Sequence, residues 1–222
     1  MPNYLALIGD IRNSRQIARR AEAQKGIQAA LAQVSEAYPA LFASRLTLTL
    51  GDEFQALIYP ERLGLTRMLD ELEMRLLPYP FRLGLGFGSI STAIDSRVSI
   101  GADGEAYWRA REAIGYVHAN ESGGRVKTHC LGFSAEKDEL LNGLLEASDT
   151  LKAGWTALQR ETFSRLILQG IYAPVFDQKS FAASIGISES SLTKRLSAGN
   201  IKLYFKLRAL IEKSVRRWQC AE

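Results

Sequence analysis

The chain has 222 residues, 46% of them hydrophobic and 23% charged, which suits one large domain or two modest ones and argues against disorder. No stretch approaches the roughly 18 consecutive apolar residues of a bilayer-crossing helix. The two cysteines, Cys130 and Cys220, have no His or Cys partner at ligand spacing, which removes a disulfide framework and a zinc site as organising features. The net charge of +4 divides into −3 over residues 1–150 and +7 over residues 151–222, an asymmetry expected when one end of a protein meets a polyanion.

The N-terminus, Met1-Pro2-Asn3 followed by Tyr4 to Ile8, lacks the basic segment and long apolar run of a signal peptide, so the expected location is the cytoplasm, with reduced thiols. Tyr4 to Ile8 reads as a buried strand closed by Gly9-Asp10. From Ser14 to Tyr38, Ile17, Ala21, Ile27, Ala30, Leu31 and Val34 recur at helical spacing until Pro39. Arg45 to Leu50 alternates leucine with threonine as a half-exposed strand does, and Phe54 to Tyr59 resumes a strand after the tight turn Gly51-Asp52-Glu53. Leu63 to Leu77 is a second amphipathic helix, ended by Pro78 and Pro80. In the next strand, Phe81 to Ile90, Gly84, Gly86 and Gly88 leave one face nearly bare, so a helix or a ligand must pack closely there. A glycine-bearing loop at 101–104 opens a helix from Glu105 to His118, Gly123-Gly124 makes a turn, and Arg125 to Leu131 is a short strand. The order β α β β α β α β describes an α+β sandwich of ferredoxin-like type.

After Ser148 no strand is expected, and three or four short helices account for the remainder. Residues 1–149 and 150–222 therefore read as two domains. Within the second, Gln178 to Leu196 has the spacing of a helix-turn-helix: Phe181, Ala182 and Ile185 on one helix face, Gly186 at the reversal with positive φ, Ile187 plugging the turn and Ser188 capping a helix that carries Leu192 and Leu196. Ser188, Glu189, Ser190, Ser191, Thr193, Lys194 and Arg195 are side chains suited to the major groove, with Lys202 beside them. Lys206, Arg208, Lys213, Arg216 and Arg217 add charge suited to the phosphate backbone.

In a ferredoxin-like sheet Asp10 and Asp52 stand at neighbouring strand ends, where their carboxylates converge on one Mg²⁺ or Mn²⁺, with Glu53 as a third ligand or supporting group. Backbone amides at Ile11, Arg12, Asn13 and Ser14, where the first helix is expected to start, are placed to cradle a polyphosphate. No dinucleotide fingerprint or P-loop is present, His118 and His129 are isolated, and Tyr107, Trp108 and Tyr116 read as core-packing aromatics.

The segments Asp10 to Ser14, Thr47 to Gln55, Arg82 to Gly88 and Ser99 to Arg111 together resemble the bacterial SatD family, over essentially the whole chain. That family in turn resembles class III nucleotidyl cyclases and GGDEF diguanylate cyclases, whose two metal-binding carboxylates match Asp10 and Asp52. The resemblance implies a cyclase-like core and adds Arg111 to the candidate nucleotide contacts. Three departures imply that cyclisation is absent while nucleotide or metal binding remains. Leu48 stands where purine-recognising cyclases carry Lys, Trp108 stands where they carry the transition-state Asn with Arg109 and Arg111 only offset from their Arg, and Leu50 replaces the first glycine of the diguanylate signature. The expected function is a homodimeric, DNA-binding transcriptional regulator whose cyclase-like domain senses a nucleotide or metal. The alternative is a Mg²⁺- or Mn²⁺-dependent nucleotidyl cyclase or nucleotidyltransferase.

Overall fold

The computed structural model describes residues 2–49, 51–120 and 125–219; Leu50, the turn at Gly123-Gly124 and Cys220 lie outside them. Five strands form one sheet: β1 (Tyr4–Ile11), β2 (Phe42–Leu48), β3 (Glu53–Ile58), β4 (Phe81–Gly88) and β5 (Thr128–Leu131), in the order β2-β3-β1-β4-β5. β1 takes the centre because Leu5, Ala6, Leu7 and Ile8 are apolar on both faces, and all four are buried. It pairs antiparallel with β3 and β4, while β5 lies parallel to β4. With α1 (Arg20–Ala37) between β1 and β2 and α2 (Leu65–Arg75) between β3 and β4, the first four strands have ferredoxin-like connectivity. α3 (Glu105–Asn120) makes the crossover that a parallel β5 requires.

Alternation along β1 separates two packed layers. Leu5, Leu7 and Ile11 face a large core with Ile27, Leu31 and Val34 of α1 and Met68, Leu69 and Leu72 of α2. Ala6 and Ile8 face α3 through Ala106, Tyr107, Ala110 and Ile114. The glycine stripe of β4 admits α3 and no ligand: a Cβ on Gly84 would fall on the Ala110 carbonyl, and one on Gly86 on the Ala106 carbonyl.

β1 runs past Gly9 and Asp10 to Ile11, so Gly9 is a strand residue rather than a turn. The Phe54 ring occupies the place of its missing Cβ. The first helix does not start at Ser14; Ser14–Gln16 is one 3-10 turn, and α1 begins at Arg20. Residues 89–104 are irregular and are anchored to β2 by Ser44 Oγ on the Asp95 carbonyl (2.6 Å) and the Arg45 amide on the Ser96 carbonyl (3.2 Å).

α4 (Ala135–Ala153), capped by Ser134 with Glu136 and Asp138 in its first turn, passes through the boundary expected near residue 150. α5 (Ala157–Leu168), α6 (Gln178–Ser184), α7 (Glu189–Ala198) and the first half of α8 (Ile201–Trp218) enclose a second core around Trp155, Phe163, Phe181, Leu192 and Tyr204. The 18-residue α8 is not short, and it joins the two cores: Tyr204 and Phe205 belong to the helical one, Ile211 and Val215 to the sheet. Glu212 completes the junction by accepting the amides of Gly64, Leu65 and Thr66 at the α2 N-terminus (2.8, 3.2 and 2.8 Å), donors that the helix itself leaves unpaired. Among the described residues no helix is long and apolar enough to cross a membrane.

Candidate functional site

Strand register places the first carboxylate. Asp10 stands opposite Glu53 on β3 and Arg82 on β4, and Arg82 Nη1 donates to its Oδ2 at 3.0 Å. Asp52 enters from the β2–β3 hairpin, whose Gly51 takes φ +77°. The two ends are tied together by the Ile11 amide on the Asp52 carbonyl (3.0 Å) and by Ser14 Oγ, which donates to Asp52 Oδ2. Burial, reinforced by the negative charge of Asp52, raises the Asp10 pKa above the ordinary carboxylate value against the opposing hydrogen bond from Arg82. Two carboxylates whose charges oppose each other at a sheet end suit a divalent cation, which would relieve the repulsion.

Glu53 turns elsewhere. Its carboxylate holds the Arg111 guanidinium with both oxygens, Nη2 to Oε1 at 2.9 Å, and this pair links β3 to α3. Among the described residues no three His, Cys, Asp or Glu side chains converge as a cation cage. Asp10 and Asp52 are the side chains that could hold a divalent cation at this end of the sheet, with water or phosphate oxygens supplying the rest of its shell.

The expected phosphate cradle changes. The Ile11 amide bonds Asp52, the Arg12 amide bonds the Pro80 carbonyl at 2.8 Å, and because β1 continues to Ile11 neither stands at a helix start. Asn13, at φ +53°, and Ser14 form the turn that follows. Beside the Glu53–Arg111 pair, a cavity of about 350 Å³ lies between the sheet and α3, lined by Ile8, Gln55, Tyr107 and Trp108. Trp108 is 61% exposed and donates its indole N–H to Asp103 at 2.8 Å, so it packs no core; Tyr116 is also exposed and stacks on His129, and of the three aromatics only Tyr107 is buried. Arg109 is a clamp rather than a site group, donating to the Phe87 and Gly132 carbonyls at 2.7 and 3.1 Å and pairing with Glu105.

In the helical unit, α6 and α7 are joined through Gly186 at φ +70°, and Ser188 Oγ caps α7 by accepting the Ser191 amide at 3.2 Å. Ala182, Leu192 and Leu196 are buried, while Glu189, Ser190, Ser191, Thr193 and Lys194 face outward. Arg195 is half-buried and donates to Thr162 Oγ1 at 3.3 Å, and Lys202 is also half-buried. Arg208 is withdrawn from any surface role: it is 3% exposed and pairs with Asp70 at 3.3 Å.

That pair belongs to a buried network with no counterpart in the sequence reading. Asp70 on α2 accepts from Lys152 Nζ at 2.6 Å and from the hydroxyls of Tyr172 and Tyr204, so α2, α4 and α8 meet at one carboxylate. Lys152 also donates to Glu73 at 2.7 Å, and Glu73 pairs with Lys127 at 2.7 Å. Arg208 and Lys152 hold the Asp70 pKa down although burial pushes the other way, and Lys127 and Lys152 do the same for Glu73. Asp149 instead accepts the Lys127 and Thr128 amides, both at 3.0 Å, and burial raises its pKa to about 6.

The SatD family model matches residues 4–214. No curated protein matches the sequence. Similar solved structures include a bacterial light-regulated adenylyl cyclase, at 12% identity and TM-score 0.44 over 58% of this chain and 43% of that one, so this chain spans less than half of it. The guanylyl cyclase Cya2 is similar at 12% identity and TM-score 0.36, over 51% of this chain and 70% of that one. A regulator of polyketide synthase expression from Bifidobacterium adolescentis is similar at 14% identity and TM-score 0.26, over 98% and 86%.

Proposed function

We propose, for a chain that belongs to the SatD family, a DNA-binding regulator whose α+β unit binds a metal–nucleotide complex without cyclising it. The observation that carries this reading is the α6–α7 pair: a turn glycine at positive φ, a serine cap, and a polar outer face of Ser190, Ser191, Thr193 and Lys194 above buried Leu192 and Leu196. This is the arrangement of a helix-turn-helix whose second helix enters a major groove. Exposed Lys206, Lys213 and Arg217 on α8 supply further charge for phosphates.

The opposed carboxylates of Asp10 and Asp52 support the sensing half, since a divalent cation with phosphate oxygens would satisfy both. Trp108 in place of a polar transition-state group supports binding without turnover. The same two carboxylates favour the second reading, a Mg²⁺- or Mn²⁺-dependent cyclase or nucleotidyltransferase, in which Asp10 and Asp52 would hold a metal whose chemistry would be the activation of a ribose hydroxyl. The exposed apolar side chains of Val98, Ile100 and Trp108, on the segment 89–104 and α3, support a homodimer packed on that side.

Mobility-shift with duplex DNA tests the DNA half, and Mn²⁺ with each NTP tests the other. The expected results are retarded DNA, a raised Tm with Mn²⁺ and NTP that Asp52→Asn abolishes, and no nucleotide product. Unretarded DNA would sink the regulator reading, and a cyclic or transferred product would replace the sensor with the enzyme.

A further inference from the structure

Neither Asp10 nor Asp52 lines the cavity of about 350 Å³ between the sheet and α3, yet the cavity opens on the same side of the sheet as Asp10. Ile8 and Asp10 are two residues apart on β1 and share a face, and their partners across the register, Gln55 and Glu53, share it with them. Ile8 and Gln55 form the cavity floor, which therefore begins one pleat, about 7 Å, from Asp10. A sugar ring fits between a group held at Asp10 and a ring held in the cavity.

Gln55 is 8% exposed, and the two ends of its amide differ. Nε2 donates to the Ser99 carbonyl, whereas Oε1 accepts no hydrogen bond among the described residues and is open to the cavity. A carbonyl oxygen so enclosed calls for a donor. The donors of the lining are engaged elsewhere: the Trp108 indole N–H on Asp103 at 2.8 Å, and both Arg111 Nη atoms on Glu53. The cavity thus offers an acceptor at its floor and, on its open side, the 61%-exposed ring of Trp108. A flat ring whose edge carries an amino group and no carbonyl oxygen suits both, and adenine is such a ring. Guanine and uracil carry carbonyl oxygens that need donors, and those are the groups already engaged.

We propose that Gln55 selects the base of the bound nucleotide: its Oε1 accepts the adenine amino group while Trp108 stacks on the ring, with the phosphates directed toward Asp10 and Asp52. The inference rests on the metal–nucleotide reading of the carboxylate site and adds to it the choice of base. It also gives Trp108, held through its N–H with its ring in the open, a use that core packing does not supply.

Isothermal titration of the full chain with Mn²⁺ and, in turn, ATP, GTP, purine riboside triphosphate and inorganic tripolyphosphate tests it. ATP should bind about ten-fold tighter than GTP or the purine analogue, which lacks only the amino group, a difference of one hydrogen bond. Gln55→Leu should bring ATP to the level of the analogue and leave tripolyphosphate binding as it was, with circular dichroism confirming the fold. Trp108→Ala should weaken ATP and the analogue alike. Equal binding of ATP and the analogue to the unaltered protein would overturn the role of Gln55 while the metal–nucleotide reading stands, and it does so without any variant. Tripolyphosphate binding as tightly as ATP would overturn the cavity as the seat of the base. Absence of Mn²⁺-dependent binding with all four probes would overturn the metal–nucleotide reading and the choice of base with it.

Discussion

Replacing Asp70 by alanine removes the one carboxylate shared by Lys152, Arg208, Tyr172 and Tyr204. Lys152 keeps Glu73, but Arg208, 3% exposed, loses its carboxylate partner. Leaving one member of a buried ion pair uncompensated costs about 3–5 kcal/mol, and each buried hydroxyl deprived of its acceptor adds about 1 kcal/mol. Glu73 still neutralises Lys152, so the second cation adds nothing and the expected loss is about 5–7 kcal/mol. At this chain length that lowers the Tm by about 10–28 °C. Urea unfolding followed by far-UV circular dichroism measures it directly. Removing both partners, as Asp70→Leu with Arg208→Met, leaves no orphaned charge and should cost less than Asp70→Ala alone. Because the Asp70 pKa is lowered on folding, its contribution is present above the ordinary value of 3.8 and lost as pH falls below it. A loss under about 1 kcal/mol for Asp70→Ala, or a double variant no more stable than the sum of its singles, would refute the role of the network as the junction.

Asp149 has the opposite sign. Its carboxyl, raised to about 6 in the folded chain from 3.8, takes up a proton on folding, so stability should decline by up to about 3 kcal/mol as pH rises from 4 to 6. Asp149→Asn keeps an acceptor for the Lys127 and Thr128 amides and should flatten that decline; urea midpoints with the same pH slope in both proteins would count against the assignment. Gly86→Ala drives a methyl into the Ala106 carbonyl and the Ala110 amide of α3, backbone that cannot yield as a side chain does. The expected cost is about 1–3 kcal/mol or more, read as a shift in chemical unfolding, and an unchanged midpoint would show that α3 is not seated against β4 as described.

Elements governed by local pattern were legible in the sequence. The apolar run from Tyr4, the bare glycine face of β4 and the Gly186 turn with its Ser188 cap each follow from neighbours within a few residues. What the sequence hid depends on distant groups. Gly9 looks like a turn glycine until the Phe54 ring is known to fill its place, and with it Asp10 moves from a strand end into the strand. Arg208 looks like one more basic residue of a charged tail, yet its partner Asp70 lies 138 positions away on α2. Ser134, Glu136, Asp138 and the leucines at 141 and 145 signal α4, yet the end of the strand pattern after Ser148 puts the expected boundary through its last turn. At the candidate site the pairing of Asp10 with Asp52 was legible from topology, whereas the engagement of Glu53 by Arg111 required the position of α3.

The dependence of DNA affinity on salt tests the regulator reading most directly. Fluorescence anisotropy of a labelled duplex should show affinity falling linearly with salt on logarithmic axes, and Lys194→Ala and Lys206→Ala should each weaken binding and reduce that slope by about one. A slope unchanged in both variants, or no binding at low salt, would contradict the assignment of α7 and α8 as the surface that meets DNA.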